Sequence, residues 1–206
     1  MNRPAFGAVL AGGASSRYGA PKALAEVGGA RIVDRVAGAL DRVVADVIVI
    51  ANDAPLAAEI GRPWRADVRP GIGALGGIHS ALHWAAEEGR PGVLALACDM
   101  PFVPDALLRA LLDAGLNGPD VVVPESGGRR GIEPLCAYYG ARCIQAIERA
   151  IDAGDRRMIG FHHDVRVSIL PRGDIVRFGD PDVIFLNVNT PDQRTRAEQI
   201  AAEGGR

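Results

Sequence analysis

Several features that mark other protein classes are scarce in this 206-residue sequence. Aromatic residues make up 5%, too few for the stacking platforms on which single-stranded nucleic acid binds. Charge is nearly balanced, with 23 Lys and Arg against 25 Asp and Glu, and there is no basic arm or stripe to attract nucleic acid. No apolar run approaches the roughly 18 residues of a membrane span. We therefore expect no nucleic-acid or membrane partner, and a soluble globular enzyme.

Cysteine is scarce as well. Cys98, Cys136 and Cys143 form no CxxC pair, and three cysteines cannot all be bridged within one chain. We interpret them as thiols of a reducing compartment. The apolar stretch after Arg3 runs straight into glycines and has the length of a core strand, so we do not interpret it as a signal peptide. The sequence predicts a cytoplasmic protein.

Short apolar runs alternate with segments of helical periodicity. The runs predict strands at 5–10, 47–51, 93–97, 121–124, 133–139, 165–170 and 183–189. Such alternation indicates an α/β fold, with a mostly parallel sheet covered by helices on both faces in a Rossmann-like, three-layer arrangement. The length suits one domain. Within it we expect a nucleotide-binding half at about 1–124 and substrate-side additions at about 125–190.

The stretch LAGGASSRYGAPKAL (10–24) follows the first predicted strand. Gly12 and Gly13 allow the backbone to approach a ligand closely, and a loop of exposed N–H groups after a strand binds anions. Arg17 and Lys22 add the positive charge that a triphosphate requires. The spacing matches neither GxxxxGK[ST] nor GxGxxG. An ordinary strand-to-helix connection is the alternative, but a basic residue on each side of a third glycine favours the anion site.

Polar residues stand at the ends of three further segments. Asp99 follows the strand predicted at 93–97, where a carboxylate suits Mg²⁺; the alternative is a cap on the next helix. Asn52 and Asp67 have similar positions and could equally be turn residues. Asn187 and Asn189 alternate on the last predicted strand, so both face one ligand or metal; an Asx turn is the alternative for Asn189.

Five motifs together resemble those of nucleotidyltransferases that transfer a nucleoside monophosphate from an NTP, and within them the molybdenum cofactor guanylyltransferases. They are LAGG…SRYG.PK (10–22), GIGALGGIHSAL (71–82), ACDMPF (97–102), EPLCAYY (133–139) and FLNVNTPDQ (185–193). The motifs occur in the expected order over nearly the whole chain. The first loop alone would indicate only the superfamily, whereas the NVNTP ending makes the resemblance specific.

The resemblance implies transfer of GMP from GTP to molybdopterin with release of pyrophosphate, and Mg²⁺ as cofactor. It implies catalytic roles for Arg17, Lys22 and Asp99, with Asp99 as the metal ligand, and pterin contacts by Asn187 and Asn189. The implied nucleotide-binding residues are Leu10, Ala11, Gly12, Gly13, Lys22, Asn52, Asp67 and Asp99. Molybdoenzymes or their chaperones are the candidate receivers of the product.

Three alternatives stay open at this point. A cytidylyltransferase for the same pterin and a sugar-phosphate nucleotidyltransferase use the same chemistry, although LAGG rather than LAAG resembles the guanine-using branch. A non-catalytic carrier of the pterin cofactor is the third. Lys22 and Asp99 are both present, which argues against a protein that has lost its activity.

Overall fold

A seven-stranded sheet forms the centre of the protein. The computed structural model describes residues 5–12, 22–128 and 131–204. The strands are β1 (Phe6–Leu10), β2 (Glu26–Val27), β3 (Ala30–Arg31), β4 (Val47–Ile50), β5 (Trp64–Arg65), β6 (Gly92–Ala97), β7 (Val121–Pro124), β8 (Cys136–Gly140) and β9 (Val167–Leu170). The sheet order is β5-β4-β1-β6-β8-β7-β9, and β2 and β3 form a separate antiparallel pair.

Helices cover both faces of this sheet. They are α1 (Ile32–Asp41), α2 (Ala54–Ile60), α3 (Ala74–Glu87), α4 (Asp105–Leu116), α5 (Cys143–Asp152), α6 (Arg172–Ile175), α7 (Pro181–Ile184) and α8 (Pro191–Gly204), with 3-10 turns at Lys22–Leu24, His162–Asp164 and Val176–Phe178. Buried side chains of α1, α2 and α4 pack on one face, and those of α3 and α5 on the other. The predicted three-layer α/β fold is confirmed. In the part of the chain described, no helix combines the length and the apolar character needed to cross a bilayer.

The strand directions locate a crevice at one edge of the sheet. β1 pairs in parallel with β4 on one side and with β6 on the other. β8 is antiparallel to both of its neighbours and is the one described strand of this sheet that runs against the others. From β1 the chain continues to β4 on one side and reaches β6 later on the opposite side. In open α/β sheets, ligands bind at the carboxyl ends of the strands where connections diverge in this way.

Most predicted strands are present, but the last one is wrong. Residues 183–189 contain the end of α7 and irregular backbone rather than a strand. The carboxylate of Asp180 accepts a hydrogen bond from the backbone N–H of Asp182 at 2.9 Å, and Pro181 occupies the first helical position. This start signal overrides the strand preference of the apolar residues that follow. Asn187 and Asn189 therefore do not alternate along a strand.

Close packing of α4 on β8 requires glycine at position 115. A Cβ built there would lie 2.1 Å from Cδ1 of the buried Tyr138 ring. We expect Gly115→Ala to lower the free energy of unfolding by about 1–3 kcal/mol in urea titrations, because the ring must shift in a packed core. Gly118→Ala is the matched control, since nothing lies within 4 Å of its new Cβ. Equal stability of the two variants would contradict this packing.

Candidate functional site

A pocket opens at the carboxyl edge of the sheet, beyond the paired ends of β1 and β6. Six of the residues predicted to bind nucleotide line it: Leu10, Ala11, Gly12, Asn52, Asp67 and Asp99. Gly13 and Arg17 lie outside the described residues. Lys22 begins the 3-10 turn whose second residue, Ala23, also lines the pocket. The six predicted residues thus come together from four separate segments of the chain.

Asp99 lies two residues beyond β6, in a tight turn. The backbone N–H of Met100 closes the turn on the carbonyl of Ala97 at 3.3 Å, and the carbonyl of Asp99 accepts from the N–H of Val188 at 2.9 Å. The helix that follows begins at Asp105, its N-cap is Pro104, and no side chain caps it. The alternative that Asp99 is a helix cap is therefore wrong, and its carboxylate lines the pocket instead.

Asn52 and Asp67 form a paired unit on the opposite wall. The Asn52 Nδ2 donates to Asp67 Oδ2 at 2.6 Å, and the backbone N–H of Asp67 donates to Asn52 Oδ1 at 2.9 Å. The second carboxylate oxygen, Asp67 Oδ1, is buried and has no hydrogen-bond partner among the described residues. A buried oxygen without a donor is costly, so this atom is a candidate acceptor for a hydrogen bond from a ligand.

The first turn of α3 supplies a wall that the predicted list of site residues omits. Gly73, Ala74 and Gly77 line the pocket. Gly71 and Gly73 have φ of 79° and 78°, a conformation that favours glycine. The amino end of a helix carries partial positive charge, which suits a phosphorylated ligand. The glycine-rich segment at 71–77 was the available sequence signal, although it identified a motif and not the individual contacts.

A second pocket lies beside the first and is built mainly from residues beyond 124. Its lining includes Ser126, Gly127, Glu133, Asp182, Asn187 and Gln193. The two pockets are adjacent, because Glu133 lines the second and Leu135 the first. The N–H···O bond from Val188 to Asp99 makes a further connection between them.

The structure separates the two predicted pterin-binding asparagines. Asn187 lines the second pocket, and its Nδ2 donates to the carbonyl of Phe185 at 3.2 Å. The backbone N–H of Asn189 donates to Gln193 Oε1 at 2.7 Å, and the N–H of Gln193 donates to Thr190 Oγ1 at 3.2 Å. These reciprocal bonds resemble a capping box at the start of α8. The side chain that caps the helix in these bonds is that of Thr190, while Asn189 contributes its backbone N–H, so the Asx turn expected for Asn189 stays a prediction.

The donor set at Asp99 is compatible with magnesium. Mg²⁺ is usually held by one or two carboxylates together with substrate phosphates and water, rather than by an all-protein cage. Asp99 offers one carboxylate among the residues that line the pocket. Within residues 5–12, 22–128 and 131–204, no group of three or more His, Cys, Asp or Glu side chains is arranged to hold a metal ion.

The sheet topology and the pocket define an α/β nucleotide-binding protein. Residues 7–166 match the model of the MobA-like NTP transferase domain, and the chain belongs to this family of nucleotidyltransferases. The family typically uses a divalent metal ion.

Similar proteins cover nearly the whole chain. A probable molybdenum cofactor guanylyltransferase of Pelotomaculum thermopropionicum is 39% identical over 202 residues, which are 98% of this chain and 95% of that protein. A molybdenum cofactor guanylyltransferase of Desulfosudis oleivorans is 34% identical and covers 96% of each chain. The crystal structure of molybdopterin-guanine dinucleotide biosynthesis protein A from Archaeoglobus fulgidus superimposes with a TM-score of 0.81 at 28% identity, over 96% of this chain and 99% of that one.

The three thiols differ in their access to solvent. Cys98 is half-buried and lines the nucleotide pocket, whereas Cys136 and Cys143 are buried. Burial raises the pKa of both buried thiols, that of Cys143 to about 12, so both stay protonated at pH 8 and are poor nucleophiles. We expect iodoacetamide to modify Cys98 before the other two in the native protein.

Peptide mass spectrometry would measure this order of modification. A nucleoside triphosphate with Mg²⁺, at ten times its Kd, should slow the modification of Cys98 about tenfold, because only the unliganded fraction reacts. In urea all three thiols should react alike, which is the control. Equal native labelling of Cys98 and Cys143, or no protection of Cys98 at saturating nucleotide, would contradict the position of the pocket.

Proposed function

We propose that this protein transfers GMP from GTP to the terminal phosphate of molybdopterin and releases pyrophosphate. One observation carries the proposal: six of the residues that the sequence assigned to nucleotide binding line one pocket at the carboxyl edge of the sheet. Relatives of nearly equal length support it, since they are named molybdenum cofactor guanylyltransferases. The reducing environment expected from the thiols supports a cytoplasmic location for the reaction.

Asp67 supports guanine as the base. Guanine presents two neighbouring hydrogen-bond donors, N1–H and the 2-amino group, and a carboxylate accepts from both. Asp67 Oδ1 is buried without a partner among the described residues, while Asp67 Oδ2 is held by Asn52. Cytosine has one donor group, its 4-amino group, next to the acceptors N3 and O2, so it cannot present two neighbouring donors to the carboxylate. Sites that hydrogen-bond one base reject analogues that lack the matching group.

The opposite wall is assigned to the phosphates. In this proposal the backbone of Leu10, Ala11, Gly12 and Gly13 and the side chains of Arg17 and Lys22 bind the triphosphate. Asp99 would hold Mg²⁺, which supplies neutralisation of phosphate charge when it is bound.

The second pocket is assigned to the pterin. Its residues come almost entirely from 125–190, the part of the chain predicted to carry substrate-side additions. Asn187 and Glu133 offer amide and carboxylate groups to the polar edge of a pterin, and Phe185 offers a ring. Because this pocket adjoins Asp99, an acceptor bound there would direct its phosphate towards the α-phosphorus of the nucleotide.

The chemistry then needs no protein nucleophile. A phosphate oxygen of molybdopterin forms the new bond to the α-phosphorus of GTP, and the bond to the bridging oxygen of pyrophosphate breaks in line. The attacking group is already an anion, so a strong general base is unnecessary. The two pockets provide proximity and orientation, and Lys22 and Arg17 oppose the negative charge that grows on the α-phosphate and the leaving group.

A pyrophosphate-release assay tests the proposal. With molybdopterin present, kcat/KM for GTP should exceed that for CTP at least tenfold, which requires about 1.4 kcal/mol of difference in the transition state. Pyrophosphate release with UTP tests the alternative of a sugar-phosphate nucleotidyltransferase. A kcat/KM for CTP equal to or above that for GTP would overturn the guanine assignment. Nucleotide and pterin binding without any pyrophosphate release would instead indicate a carrier.

Asp99→Asn separates the metal role from a structural one. The change keeps the size of the side chain but removes its charge, so we expect kcat to fall about 100-fold and the Mg²⁺ concentration for half-activation to rise. Asp113→Asn, at an exposed position on α4, is the matched control and should leave both values unchanged. Thermal midpoints should agree within a few degrees. An Asp99→Asn protein with parental turnover at limiting Mg²⁺ would show that the metal binds elsewhere.

A further inference from the structure

Helix α3 holds the short backbone segment that carries Asp67. The Trp84 Nε1 donates to the carbonyl of Ala66 at 3.4 Å, and the backbone N–H of Val68 donates to Ser80 Oγ at 2.9 Å. Ser80 and Trp84 are four residues apart, so they lie on one face of the helix, one turn apart. Their two bonds fix the backbone immediately before and immediately after Asp67.

Ser80 also ties this segment to the nucleotide pocket. Its side chain is fully buried. The hydroxyl donates to the carbonyl of Gly76 at 2.7 Å while it accepts from Val68, so it uses its proton and a lone pair. Gly76 stands between Ala74 and Gly77, which both line the pocket. The hydroxyl therefore couples the position of Asp67 to the turn of α3 that faces the ligand.

The side chain of Asp67 is fixed from the other direction by Asn52. Both polar atoms of the Asn52 amide bond to Asp67, one to Oδ2 and one to its backbone N–H. Asp67 is thus held by Asn52 on one side and by Ser80 and Trp84 on the other. Its Oδ1 atom is buried and has no partner in the described chain. Recognition of a base through one such oxygen requires that it be held to within about 0.5 Å.

We propose that Ser80 is a specificity-determining positioning residue, assisted by Trp84, that sets the preference for guanine by holding Asp67 Oδ1 in the pocket. This inference rests on the proposed function, in which Asp67 accepts hydrogen bonds from guanine. Ser80 does not touch the ligand and acts through Asp67. Loss of its hydroxyl leaves the N–H of Val68 without its acceptor, so the segment relaxes and the carboxylate leaves its place.

The effect should appear in base binding rather than in the chemical step. The base lies at the end of the nucleotide away from the reacting phosphorus, so its contacts are the same in the ground state and the transition state. A mutation that removes such uniform binding raises KM and leaves kcat unchanged. A variant that was merely less well folded would instead lose active enzyme and lower the apparent kcat, with GTP and ATP affected alike.

Calorimetric titration with GTP and with ATP, both with Mg²⁺, tests the inference without the pterin. ATP lacks both of the donors that guanine offers to Asp67. For Ser80→Ala we expect the Kd of GTP to rise about tenfold and that of ATP to change less than twofold. Asp67→Asn should lose the same preference. Steady-state assays with GTP should show the matching rise in KM at parental kcat.

Three further variants complete the design. Ser80→Thr retains a hydroxyl and should restore the preference for GTP. Trp84→Phe removes the donor to Ala66 and reduces the ring next to Arg65, at a half-buried site. It should shift the preference in the same direction, and it tests the inference if Ser80→Ala does not fold. Tyr138→Phe is the matched control. It removes another buried hydroxyl, whose 3.4 Å bond to Pro91 lies at the opposite edge of the sheet, and should leave base preference unchanged.

The outcomes separate the guanine contact of Asp67 from the positioning role of Ser80. If Asp67→Asn loses the preference for GTP while folded Ser80→Ala and Trp84→Phe keep it, the positioning role is overturned and the guanine contact stands. If Asp67→Asn itself keeps the preference, the guanine contact is overturned and the positioning role with it. A loss of preference in Tyr138→Phe equal to that in Ser80→Ala would also overturn the inference, because it would make the effect a general consequence of lost stability.

Discussion

The pairing of β1 between two parallel neighbours is the constraint on which the site depends. The register sets Leu10 opposite Ile50 on one side and opposite Ala97 on the other, and Ile50 in turn pairs with Arg65 of β5. Four strands therefore end level with one another. The residues two positions beyond this row are Gly12, Asn52, Asp67 and Asp99. All four line the pocket, because equal steps from a common row bring them to a common edge.

Hydrogen bonds extend this alignment past the strands themselves. The N–H of Ala11 donates to the carbonyl of Ile50 at 2.9 Å, and the N–H of Cys98 donates to the carbonyl of Leu10 at 3.1 Å. The backbone is thus still in sheet geometry one residue before the functional positions. Sites supported by paired strands hold their geometry more closely than sites on free loops. The paired strands therefore restrict the positions of the side chains that line the pocket.

The sequence predicts those parts of the fold that are determined by a continuous run of residues. Apolar runs such as 93–97 are buried on both faces of a parallel sheet, and their length and flanking residues are visible in the sequence. β5 is two residues long and α2 spans Ala54–Ile60, so neither has enough length for a periodic pattern. The last predicted strand failed because the cap formed by Asp180 and Pro181 outweighs a run of strand-forming residues. Such competition is decided by tertiary packing as well as by local preference.

The site shows the same division between local and non-local causes. Asp99 and Asn52 were predicted because each follows a recognisable strand. Asn187 lines a pocket from irregular backbone, so the predicted strand is wrong there, and the contact with a ligand stays a prediction. Ser80 carries no signal of its own, since a serine within a helix pattern is unremarkable. Its importance comes from a bond to Val68, and only the folded chain places the two together.

The two pockets are built on different principles, and this difference bears on the reaction. The first pocket stands on aligned strand ends, whereas the second pocket is formed largely by loops around Ser126 and Asn187. In the proposed reaction, loops would adapt to a large and irregular acceptor, while strands would fix the donor. In-line transfer requires the two to be in register to within a fraction of an ångström. The bond from the N–H of Val188 to the carbonyl of Asp99 fixes the two pockets relative to each other. It fastens the acceptor-side loop to the turn that carries the carboxylate assigned to the metal, so a shift of one wall would move the other with it.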